Sequence, residues 1–444
     1  MKRVFSRITA AIFIASGFLA MTVLGGCSSN PDSADVSGDV KVLAPMNDAS
    51  SSTSYSLKLI ELSGLSNLQE VSGRFVRFFF SPRIINSHLN GVAPKGKFIR
   101  STDGHYVPAN DMSQQMVVIY AHMQQLAQLD KDLGAGDVNK WPRDVGIGVR
   151  VRGGMSNNAF YDGKTDSMLL VPYTQENLPI AINGGILAHE HFHSLFYKIV
   201  LNGFSKDASA HDRKLFLKES GIEDNEQRIP VGRLESRFDT STNNEEANAT
   251  VHKYYHSALL RGINEGLADF WGWMYTGNPD FIAASLPSEK VARSLKALDA
   301  RAVNALPSEL AVKRSVGIYL SYDEENVDQY LTGYAYTLGT QFSRMLKRFS
   351  DISAESRGLN DKDSRKAVAK LIVQVLPLMR ADLDKTSDGS YYNSAKFLET
   401  MVSVMPEMNE QECQYLAEVL KNSTAATDPK KTCKQDGSWK LVAE

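Results

Sequence analysis

Cysteine is scarce in this chain, with three in 444 residues, and net charge is almost absent, at -2. So even a charge balance gives no electrostatic reason for a nucleic-acid partner, and none is expected. No glycine-rich phosphate loop of the usual spacings occurs, nor a serine-centred nucleophile elbow, which removes the common signatures of nucleotide binding and of serine hydrolysis. The acidic clusters between 204 and 251 lack the spacing of a calcium loop. What the chain has in quantity is apolar residues, 43% of the total, enough for two lobes sharing a cleft.

The most informative residues are His189-Glu190-His191-Phe192-His193, inside an apolar, helix-compatible stretch from 186 to 200. Residues four apart on a helix lie one above the other. His189 and His193 can therefore aim imidazole nitrogens at one zinc ion, with Glu190 beside it as general base. A second segment, 262–272, reads as another buried helix and carries Glu265 and Asp269, again four apart. Two carboxylates on an apolar helix are costly to bury unless positive charge faces them, and a metal ion with its histidines supplies it.

With both segments in view the chain resembles the gluzincins, and among them the thermolysin-like metallopeptidases. In that group the first helix is followed by a second with the pattern Asn-Glu-x-x-x-Asp, matched here by Asn264, Glu265 and Asp269. The resemblance implies that His189, His193 and Glu265 ligate zinc, that Glu190 is the base, and that Asp269 supports His189 from behind. It implies an α+β fold of the zincin type: a mixed N-terminal lobe with a twisted sheet, and a mainly helical C-terminal lobe. A third match lies upstream, in Asn157-Asn158-Ala159-Phe160-Tyr161-Asp162-Gly163 followed by Met168-Leu169-Leu170-Val171. It looks like the family's edge strand, where Asn158 and Ala159 would pair with an extended peptide or protein substrate.

Two departures from the family pattern stand out. His193 and Glu265 are 72 residues apart, farther than in thermolysin itself, and the intervening 204–251 is polar and reads as a surface insertion. Long insertions add little closure entropy when the flanking helices pack directly. His211, His252 and His256, in and beside it, are expected at the surface. The stretch 328–337, where the family places an oxyanion-stabilising histidine, has tyrosines instead. Other gluzincins use a tyrosine in this role, and Tyr330 is the expected donor, with Tyr334 and Tyr336 open as alternatives. The missing histidine also leaves open an inactive envelope scaffold that keeps the gluzincin fold. His191 points away from the ligand pair and is expected at the surface or behind it, and Trp271 and Trp273 are expected to be core.

The N-terminus has its own logic: Lys2, Arg3 and Arg7, an apolar run from 8 to 23, then Leu24-Gly25-Gly26-Cys27. This resembles a bacterial lipobox. It implies removal of a 1–26 signal peptide, acylation of Cys27 and a lipid-anchored place in the bacterial cell envelope, at the outer membrane in a Gram-negative cell given Ser28. From 27 to 54 the composition suggests a flexible tether, with no room for an independent prodomain. Cys413 and Cys433 remain as an even pair in a compartment that permits disulfides, and are expected to be bonded, adding about 3 kcal/mol to the C-terminal helix. The folded part divides into an α/β lobe over 55–203, the insertion 204–251, and 252–444 with the second helix and the helical lobe. Strands are expected at 56–60, 75–80 and 146–152, and a helix at 112–133. Beyond 271 only helices are expected, at 288–298, 333–349, 363–378, 394–404 and 409–420.

Overall fold

Alternation of apolar and polar residues builds two five-stranded sheets in the N-terminal half. The computed structural model describes residues 36–47, 55–150, 156–202, 245–296, 304–322, 327–385, 392–423 and 430–443. The first sheet has the order β3-β2-β1-β7-β6, with β1 (Gly38–Asn47) antiparallel to β2 (Tyr55–Asn67) and parallel to β7 (Tyr106–Pro108), and with β3 (Ser72–Gly73) and β6 (Phe98–Arg100) at its edges. In the second, β4 (Val76–Ile85), β8 (Arg143–Ile147) and β10 (Ser167–Leu170) run parallel. Antiparallel β5 (His88–Val92) and β9 (Ala159–Asp162) close its two edges. Helix α1 (Asp111–Leu133) starts on an Asn110 cap and ends at Gly134 in the left-handed region. It buries Met116, Val117, Tyr120, Met123 and Leu126 on the face expected from their spacing.

The C-terminal half is helical: α2 (Gly184–Phe196), α3 (Glu245–Thr276), α4 (Glu309–Tyr322), α5 (Val327–Arg357), α6 (Asp361–Leu383), α7 (Ser394–Ser403) and α8 (Glu410–Ser423). The fold is thus mixed α+β with a helical C-terminal region, as expected. Trp271 and Trp273 are buried, Trp271 packing on Phe192 of α2 with ring centroids 5.0 Å apart. The Cys413–Cys433 disulfide is formed and ties α8 to β11 (Lys431–Asp436).

Three expectations are corrected. The 27–54 stretch is not all tether, since β1 lies within it and buries Val40, Val42, Ala44 and Met46. Averaged composition hid a strict two-residue alternation. The C-terminal half is not helical throughout, because β11 pairs with β12 (Ser438–Ala443) around a tight turn at Gly437, whose φ is 71°. Its residues are half-exposed, so no buried face announced it. The helix expected at 288–298 shrinks to a 3₁₀ turn and the single turn Lys290–Arg293, leaving Arg293 at a helix end. Residues 1–26, Cys27, His211 and the insertion up to 244 lie outside the described residues. The last part of the insertion, from Glu245, is helix and opens α3. Among the described residues no helix is long and apolar enough to cross a membrane.

Two contacts set the helical half. Helices α3 and α5 touch backbone to backbone, where a Cβ placed on Gly266 would lie 2.4 Å from the Gly339 carbonyl oxygen. Only glycine permits that approach. Helix α8 begins on a reciprocal cap: Glu412 N–H donates to Asn409 Oδ1 (3.0 Å) and Asn409 N–H donates to Glu412 Oε2 (3.1 Å). The buried Glu412 carboxylate also accepts from Ser353 (2.7 Å) and twice from Arg357 (2.6 Å each) on α5. Burial works against its charge, but Arg357, Ser353 and the Asn409 amide outweigh it and hold its pKa below 4.5.

Gly266→Ala is expected to destabilise the protein by about 1–3 kcal/mol through overpacking. Gly333→Ala in α5, where a Cβ meets nothing within 4 Å, should stabilise it by up to about 1 kcal/mol. Urea midpoints of the two variants check the contrast. Because the folded pKa of Glu412 is depressed, its contribution is present above the unfolded value and fades as pH falls through the folded one. The gap between wild type and Glu412→Gln should be about 2 kcal/mol at pH 7 and shrink below pH 4.5, read from urea midpoints at both pH values.

Candidate metal centre

Asn183 starts α2: its side-chain oxygen accepts from the amides of Gly185 (3.0 Å) and Ile186 (3.3 Å). Its amide group donates to the Phe281 carbonyl (2.8 Å) and Ser285 (2.9 Å). That anchor fixes the rotation of α2 and turns His189, Glu190 and His193 toward α3. The two imidazoles meet edge to face, with ring centroids 4.6 Å apart and Nε2 atoms 3.0 Å apart.

Their other nitrogens are held by α3. His193 Nδ1 is 3.0 Å from Asn264 Oδ1, and His189 Nδ1 is 2.9 Å from Asp269 Oδ1. The second is an ion-pair contact rather than a well-aligned hydrogen bond. Both partners can accept, so when the two rings are neutral the proton of each belongs on Nδ1 and the Nε2 lone pairs face each other. Glu265 joins from α3, with Oε2 3.4 Å from His189 Nε2 and Oε1 3.8 Å from His193 Nε2. Its Oε2 is buried and receives no hydrogen bond. Two facing lone pairs and an orphaned carboxylate oxygen are what a cation resolves, and this donor set fits one.

Donor atoms of His189, Glu190 and His193 all lie within 4.8 Å of one another, a grouping that can hold a metal ion. Glu190 stands 4.0 Å from His189 Nε2, farther than Glu265 at 3.4 Å. We take Glu265 as the better third donor because it faces both imidazoles. Glu190 instead faces the backbone N–H of Tyr161 on β9.

The cluster is buried, and burial dominates its electrostatics. It pushes Glu190 up to about 8, against the pull of His189, and His193 down to about 4. Burial also opposes charge on His189, but Asp269, Glu265 and Glu190 overcome it and raise this imidazole to about 10. Glu265 and Asp269 stay below the usual carboxylate range because the histidines and Arg293 outweigh their desolvation.

Arg293 is the residue that sequence reasoning missed. Its guanidinium pairs twice with Asp269 (Nη2–Oδ1 2.6 Å, Nε–Oδ2 3.2 Å) and lies 3.8 Å from Glu265 Oε2. It stacks over the Tyr336 ring at 4.2 Å. A signal existed: Glu190, Glu265 and Asp269 place three carboxyl groups around one site, more than a divalent ion balances if all are ionised.

Tyr336 therefore reaches the cluster through Arg293, whereas Tyr330 packs against α4, stacked on Tyr319 with centroids 5.8 Å apart and edge-on to Tyr322. Nine residues separate Tyr330 from Gly339, a rotation of about 180° on a helix, so Tyr330 lies on the opposite face of α5 from the α3 contact. Tyr334 also packs on Tyr319, at 5.5 Å. Asn158 and Ala159 lead into β9, an edge of the second sheet, with Asn158 Oδ1 accepting from the Ala159 amide (2.9 Å).

Behind α2, His191 is fully buried rather than at the surface. It pairs with Asp130 of α1 (2.9 Å) and stacks on Trp141. The buried Arg143 donates to Ser194 (3.0 Å) and reaches Asp166 (3.6 Å), which also accepts from Tyr161 of β9 (2.9 Å). This chain of contacts joins α2 to the β9–β10 hairpin from the rear. His256 is likewise buried, not a surface residue.

Arg293→Met should destabilise the protein in chelator by about 3–5 kcal/mol by leaving the buried Asp269 with His189 alone as its charge partner. Adding Asp269→Asn should recover part of that loss. A double-mutant cycle in urea measures this, and strict additivity would remove the pair from the account. No protein-family model matches the chain, and no curated protein matches it.

Proposed function

We propose that the protein is a zinc-dependent metallopeptidase of gluzincin type, with the zincin fold, held at a bacterial cell envelope through an acylated Cys27. The observation that carries this reading is the orientation of the two histidines. With Nδ1 of each engaged by Asp269 or Asn264, both Nε2 lone pairs converge beside Glu265. His189, His193 and Glu265 would hold the ion, and zinc bound there supplies Lewis acidity and an acidified water.

The chain's own groups do the rest. Glu190, beside the cluster and against the β9 backbone, takes a proton from the attacking water and returns it to the leaving amine. The β9 edge, entered by Asn158 and Ala159, offers main-chain donors and acceptors to an extended peptide. A phenol steadies the oxyanion, and we assign this to Tyr336 in place of Tyr330, because Tyr336 alone of the three candidates packs on Arg293.

Cleavage of a mixed peptide library by the full chain in detergent, with zinc content recorded, tests the proposal. Glu190→Gln should lose about 10²–10⁴-fold in rate with zinc retained. Tyr336→Phe should lose about 10²–10³-fold in kcat, and Tyr330→Phe little. Full activity in Glu190→Gln would refute the base assignment. A zinc-loaded chain that cuts nothing would support the scaffold reading instead.

A further inference from the structure

Thirteen residues before Glu265, helix α3 carries a second histidine pair one turn apart, His252 and His256. Their rings meet edge to face with centroids 4.7 Å apart at 88°, nearly the arrangement of His189 and His193, at 4.6 Å and 90°. The Nε2 atoms are 3.4 Å apart. Two nitrogens each about 2.05 Å from one ion, at a tetrahedral angle of about 109°, stand about 3.35 Å apart. The spacing fits a shared ion.

The surroundings suit a partly open site. His256 is buried, and the Tyr255 ring, 4.7 Å away at 72°, fixes its plane. His252 is half-exposed, which leaves the pair accessible to solvent and to an incoming ion. His256 and Glu265 are nine residues apart, or about 13.5 Å along the helix axis, so the two sites do not share a donor.

We propose that His252 and His256 form a second metal site, a two-imidazole clip for a borderline divalent cation such as Zn²⁺, Ni²⁺ or Cu²⁺. Neutral imidazole suits these ions, and the preference should follow Cu²⁺ over Ni²⁺ and Zn²⁺. Bound there, the ion bridges successive turns of α3. This inference does not depend on the catalytic reading.

Equilibrium dialysis of the full chain against zinc, with metal quantified per protein, tests it. Wild type should bind two equivalents. His256→Gln and, as a second variant at the half-exposed position, His252→Gln should each bind one. His189→Gln should also bind one, held by His252 and His256, and this remaining ion should be lost in the triple variant. Urea midpoints in chelator verify that each variant is folded. Two equivalents retained in both His252→Gln and His256→Gln, or a single wild-type equivalent lost in His189→Gln, overturns the second site. A single equivalent that survives His189→Gln but not His256→Gln supports it while sinking the first.

Discussion

Three carboxyl groups crowded together, Glu190 and Asp269 buried and Glu265 nearly so, are the constraint on which this structure turns. Glu190, Glu265 and Asp269 share a space between apolar helices, where each uncompensated charge costs several kcal/mol. Arg293 answers part of that charge and the two histidines arrange themselves around the rest. The requirement propagates outward. Arg293 must come from the turn after the α3 helix, and its guanidinium is sandwiched against Tyr336, so the register of α5 on α3 is fixed by charge as well as by the Gly266–Gly339 contact.

The face of α2 away from the cluster is just as constrained. The buried His191, Ser194, Arg143 and Asp130 and the half-exposed Asp166 form a polar chain that runs from α1 through α2 to the β9 hairpin. Glu190 touches the same hairpin from the front. The edge strand is therefore held from both sides, and its distance from Glu190 is set by side chains outside the cluster.

Much of this was legible in the chain because it rests on short-range periodicity. The four-residue spacing of His189 and His193, and of Glu265 and Asp269, needs only a helix to place each pair on one face, and the helices formed. The edge position of β9 was expected only from the family resemblance of the Asn157–Gly163 stretch. What escaped depends on tertiary angles. Tyr330, Tyr334 and Tyr336 lie within seven residues, and which one faces α3 is decided by where two glycines let helices touch. Arg293 sits in a stretch that reads as ordinary helix, and only the unbalanced third carboxylate hinted at it. β1 was lost because Ser, Asp and Asn on both sides diluted its alternation, and the β11–β12 hairpin because a disulfide and half-buried Trp439 anchor it in place of a core face.

The central place of β1 in its sheet, between β2 and β7, bears on mechanics. Gly38 follows Cys27 by eleven residues, a leash of at most about 40 Å when fully extended. On the proposed acylation of Cys27, the catalytic body could not roam far from its bilayer, and a pull along that leash would load β1 in shear across hydrogen bonds on both flanks. A strand gripped on two sides resists such a load better than one peeled from a rim, so the same element that starts the core would serve as the mooring point.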